Sequence, residues 1–180
     1  MVEIKTTDRK ENVSTEFLIR RFLPKIQLPL NMPLLAKGMG INVNHRSING
    51  HRAAIFSKDR TIFLESRLND AERRFYIAHG IGHHLLGHGT CFDNDKSINR
   101  KNQNEMAANV IAFDFLVPEF LMARHGRFST AESLAGVFGV QKEIIEYQID
   151  RFNGLNPEMP ELNPHLVPDS PGRNPLVKRR

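Results

Sequence analysis

The 180-residue sequence contains one cysteine, Cys91, and no tryptophan. A single thiol excludes an intrachain disulfide and suits a reducing cytoplasm, the expected compartment. Long apolar runs are also missing. None approaches the roughly 18 residues of a membrane helix, and Met1 to Lys25 lacks the apolar stretch of a signal peptide. The expectation is a cytoplasmic protein without a membrane span. The remainder is ordinary: 40% hydrophobic and 25% charged residues, the balance of one globular domain. A chain of this length can bury a core without covalent staples. The net charge of +5 permits acidic partners, but part of the excess sits in Lys178, Arg179 and Arg180 at the end.

No internal repeat is present. Residues 1–13 are polar and are expected to be disordered. Residues 14–152 carry the periodic segments. Residues 153–180 are rich in proline and charge, a pattern of a flexible basic tail. Within the middle section, Ser14–Leu23 reads as a helix. Asn31 can cap a second helix that stops at Gly38 or Gly40, before a strand ending at Val43. His51–Ser57 and Thr61–Ser66 read as a β-hairpin around "KDR". Asn69 and Glu72 form a capping box at the start of a long helix. Phe75, Ala78, Gly82, Leu85 and Leu86 form its apolar side. Cys91–Asn102 reads as a polar connection, Asn104–Pro118 as a helix, and Ser129–Phe152 as two helices around Gly139. The expected class is α+β, a small antiparallel sheet packed on a helical core.

The stretch "AHGIGHHLLGH" carries the chemistry. His79 and His83 are four apart, so on a helix they point within about 40° of each other, one turn apart. Two neutral imidazoles so placed can chelate zinc. The zinc-peptidase form of this spacing, H-E-x-x-H, has a glutamate after the first histidine; here that residue is Gly80. A third ligand is needed, and Glu105 is the best candidate. It starts a helix that is otherwise small or apolar at Ala108, Ala112 and Leu116, and a carboxylate at the edge of such a face needs a partner.

"RRFYIAHGIGH" followed by "NEMAANVIAFDFLVP" resembles the ImmA/IrrE family of bacterial and phage metallopeptidases. The family pattern runs approximately R-x-F-x-x-A-H-E-x-G-H, then E-x-x-A-N-x-F-A-x-x-L-L-M-P. The matches are Arg73 or Arg74, Phe75, Ala78, His79, Gly82 and His83, then Glu105, Ala108, Asn109, Ala112, Leu116 and Pro118. His88 also sits where the family often has a histidine. With "LLAKGMGINV" upstream and "LAGVFGV" downstream, the resemblance covers residues 14–152. It implies a metallopeptidase-like core, zinc held by His79, His83 and Glu105, and a regulatory role. The typical partner is a protein encoded nearby, a helix-turn-helix repressor or an antitoxin, which is cleaved.

Gly80 departs from the pattern. The family's glutamate there moves a proton from the metal-bound water to the leaving amine, a shuttle worth roughly 10²–10⁴-fold in rate. Three readings stand open: a native pseudo-peptidase that binds metal and partner without cutting, an inactivated variant of a peptidase, or a substitute base. His84, one turn beyond Gly80, is the helical candidate for the last. The 129–152 region has a helix-turn-helix outline, but its second helix offers Gln141, Lys142, Glu143, Glu146 and Gln148, close to neutral. That favours packing over direct DNA binding. Cys91 is a lone thiol in the loop after the metal helix. Tyr76 and His125 are packing or surface residues unless the fold brings them to the metal, and Glu65 and Glu119 are acids of open placement.

Overall fold

The computed structural model describes residues 14–93, 103–125, 130–155 and 157–160. The expected N-terminal segment 1–13 and most of the expected tail 153–180 lie outside the described residues, as do residues 94–102 of the Cys91–Asn102 connection and residues 126–129. The first elements are helix α1, Thr15–Phe22, capped by the Ser14 hydroxyl, and helix α2, Met32–Gly38, capped by the Asn31 side chain. Strand β1, Asn42–His45, follows. Strands β2, Ala53–Phe56, and β3, Thr61–Leu64, form the hairpin that the sequence predicts.

Helix α3, Asp70–Leu86, begins at a complete capping box. The Glu72 amide donates to the Asn69 side chain at 2.9 Å, and the Asn69 amide donates to the Glu72 carboxylate at 2.8 Å. Strand β4, Thr90–Asp93, is next. Four helices follow among the described residues: α4, Gln103–Leu116; α5, Glu119–His125; α6, Ala131–Phe138; and α7, Lys142–Phe152.

The class is α+β, with one departure in the sheet. Its order is β1-β3-β2-β4, and β1 pairs with β3 in parallel. The other two pairs are antiparallel. The reversal from β1 to β2 skips the place that β3 later fills, so β1 runs in the direction of β3. The interior strands are the apolar ones. Ala53, Ile55, Ile62 and Leu64 are fully buried, and Ile55 faces Ile62 across the ladder.

Pro118 stops α4 as expected and also opens α5, since a proline suits a helix start. Two further expectations are corrected. Cys91 belongs to a strand, because residues 90–93 add to the free edge of β2. Leu85 and Leu86 are 43% and 41% exposed. The buried side of α3 is instead nearly continuous from Tyr76 to His83, because α3 lies between the sheet and α4 and is covered on both flanks. Among the described residues no single helix is long and apolar enough to cross a membrane.

Candidate metal centre

Close approach of two helices builds the centre. Gly82 meets α4 at Ala108: a Cβ added at Gly82 would lie 2.7 Å from the Ala108 carbonyl oxygen and 3.1 Å from its Cα. Only a hydrogen fits there. Ala108 is one turn beyond Glu105, so this backbone-to-backbone contact fixes Glu105 opposite the histidine pair. The structure brings His79, His83 and Glu105 together as a buried group that can hold a metal ion.

The three ligand atoms form a tight triangle. His79 Nε2 and His83 Nε2 are 2.9 Å apart, and Glu105 Oε2 lies 3.2 and 3.4 Å from them. A triangle with these sides has points about 2.0–2.1 Å from every corner, the zinc–nitrogen distance. The proton arrangement also fits. Asn109 Oδ1 accepts from His79 Nδ1 at 2.8 Å, which leaves the His79 Nε2 lone pair facing the centre. His83 Nδ1 faces His88 Nδ1 at 3.0 Å, so its Nε2 is likewise turned inward. Burial pushes the Glu105 carboxyl up, but in the protonated form of the two rings their hydrogen bonds and charge outweigh that effect and hold it at about 2. Two imidazole lone pairs and one carboxylate converging in a buried space call for a cation.

A turn delivers His88. Gly87 adopts φ +67, and the His88 amide donates back to the His83 carbonyl at 3.0 Å. This left-handed stop folds the chain under the end of α3 and sets the His88 ring on His83. Asn109 was legible as a motif residue but not as the support of His79. The spacing held the signal, because Asn109 is four residues beyond Glu105 and shares its face of α4.

Gly80 does not open into free space. It is buried, and a Cβ there would meet the side chains of Ile62 and Ile55. His84 lies on that flank too, nearer the β2–β3 turn. Burial and Arg60 push its imidazole down, while a hydrogen bond with the Ser57 backbone opposes them. Its Nε2 is buried without a hydrogen-bond partner among the described residues.

Among the described residues the other candidates make contacts of their own. Tyr76 is a core residue against Phe75, and His125 stands edge-on to Phe138 at 6.3 Å. Glu65 accepts from the Ile48 amide, and Glu119 lines a small recess with Asp114 and Arg151. The Cys91 side chain lies outside the described residues. In α7, Gln148 is fully buried and donates to Asp114 and the Val117 carbonyl, a packing role.

A two-histidine, one-carboxylate centre on crossed helices beneath a small sheet defines a metallopeptidase-type fold. The family described as the IrrE N-terminal-like domain matches residues 36–150. The chain belongs to this family of metallopeptidases, the ImmA/IrrE family. It is also 27% identical to the uncharacterized immunity region protein 2 of Bacillus phage phi105 over 116 residues, 61% of this chain and 73% of the phage protein.

Proposed function

We propose that the chain is a zinc-binding regulatory protein that holds a protein partner at the His79–His83–Glu105 centre without cutting it efficiently. The observation that carries this reading is a complete ligand triangle beside a position, Gly80, with no group to move a proton. His79 and His83 would hold the ion through Nε2 and Glu105 through its carboxylate. When bound, zinc supplies a Lewis acid and a water of lowered pKa.

The chain's own residues do the rest. Asn109 and His88 orient the two imidazoles. Glu105 neutralises part of the charge and, as a ligand, is committed. No side chain stands at Gly80 to accept the proton of an attacking water or return it to the leaving amine. The phage relative is named as an immunity region protein. Together with the family, that supports a repressor or antitoxin as the partner.

The test joins two measurements. Elemental analysis of the purified chain should find about one zinc per chain, lost in His79→Ala. Mixing the zinc-loaded chain with the repressor or antitoxin encoded beside it should give a stable complex with an intact partner. Absence of zinc overturns the metal reading. Rapid cleavage overturns the holding reading and returns the chain to the active peptidases.

A further inference from the structure

The missing base is matched by the sheet beneath it. At about 100° per residue, Gly80 is turned from the metal-facing side of α3 toward β2 and β3. Ile55 and Ile62 lie opposite each other on that face, and both are fully buried. A Cβ on Gly80 would stand 2.5 Å from Ile62 Cδ1, 2.9 Å from Ile62 Cγ1 and 3.4 Å from Ile55 Cγ1. The first two separations are closer than carbon atoms tolerate. A glutamate needs this Cβ and then four more heavy atoms, and its first carbon already meets the ends of aliphatic side chains.

The Gly82 contact differs in kind. There the obstacle is helix backbone and sets the crossing of α3 and α4. At Gly80 the obstacle is the end of one side chain on a different element. Glycine in a helix interior costs about 1 kcal/mol relative to alanine, so the close fit to Ile62 is what recommends it.

We infer that Gly80 and Ile62 are a matched pair, in which the Ile62 side chain fills the seat of the absent base. The loss of the base is therefore written into the core at two positions. Gly80→Glu alone forces Ile62 aside and does not rebuild a proton shuttle; room for the glutamate requires a smaller residue at 62 as well. This builds on the reading of Gly80 as a lost base, and it favours a settled non-cutting role over a single inactivating change.

A double-mutant cycle on the full chain tests the pairing by thermal unfolding, without a partner or a cleavage assay. Its variants are Gly80→Ala, Ile62→Val and the double variant, with Ile62→Ala as a second background should Gly80→Ala not fold alone. Gly80→Ala is expected to lower Tm despite its better helix propensity. In the Ile62→Val background, which lacks Cδ1, the same change should be more favourable by roughly 2–4 °C. Equal shifts in both backgrounds, or a higher Tm for Gly80→Ala alone, would overturn the pairing while leaving the zinc and partner measurements to stand or fall separately.

Discussion

Asn109 Oδ1 accepts a hydrogen bond from His79 Nδ1 at 2.8 Å, and this single contact decides which nitrogen of His79 faces Glu105. Removing it frees the ring to rotate and to change tautomer. Asn109→Ala should lower zinc affinity about 10–100-fold, as loss of a ligand's orienting partner does. Asn109→Asp, which keeps the acceptor, should retain most of the affinity. Competition titration against a chromophoric chelator reads both; equal losses would assign Asn109 a purely steric role.

Gly82 holds α4 at backbone distance. Gly82→Ala places a methyl group against the Ala108 carbonyl, where nothing can rotate away. The expected cost is about 1–3 kcal/mol of stability, with weaker zinc binding because Glu105 moves off with α4. Calorimetry and metal titration on one preparation should show the two losses together. Intact affinity in a destabilised protein would mean that the crossing does not position Glu105.

Acid should release the metal through the histidines. Protons compete for imidazole nitrogens, whereas Glu105 is held at about 2, below the ordinary carboxylate value of 4.5. Its lowered value contributes stability that is present above 4.5 and lost only as pH falls toward 2. Between about pH 5 and 8, Glu105→Gln should therefore lower zinc affinity by a constant factor and leave the pH slope unchanged. A changed slope across that range would show Glu105 titrating there.

Arg74 ties α3 to the α6–α7 turn. Its guanidinium donates to the Phe138 carbonyl at 2.7 Å and the Gly139 carbonyl at 2.8 Å, and burial lowers it to about 10 without discharging it at neutral pH. Arg74→Met should cost about 1.5–3 kcal/mol, the range for hydrogen bonds to a charged group. Arg74→Lys should recover little, because an ammonium cannot reproduce the two-pronged geometry. Chemical denaturation of the three proteins measures the difference.

Local chemistry in the chain announced much of this architecture. The Asn69–Glu72 box, the Asn31 cap, the β2–β3 hairpin and the turn at Gly139 all depend on neighbours in sequence, and each was legible. That His79, His83 and Glu105 come together was legible because helical spacing and a misplaced acid point to it. Strand β4 and the parallel β1–β3 pair were not, because both depend on which strand edge is free once the hairpin has formed. The outward turn of Leu85 and Leu86 was hidden for a similar reason: the sheet and α4 enclose α3 only as far as His83. The seat under Gly80 joins residues eighteen positions apart, a tertiary contact with no pattern in the sequence.

Helix α3 acts as a spacer between two surfaces, its thickness set by the bare backbone at Gly80 on one side and Gly82 on the other. The clearance on each flank is less than one methyl group. An ion shared by α3 and α4 would tie the two helices together, and β2 and β3 lie against the other flank of α3. Slower hydrogen exchange of the Ile55 and Ile62 amides would then serve as a gauge of metal loading, read from strands that contribute no ligand.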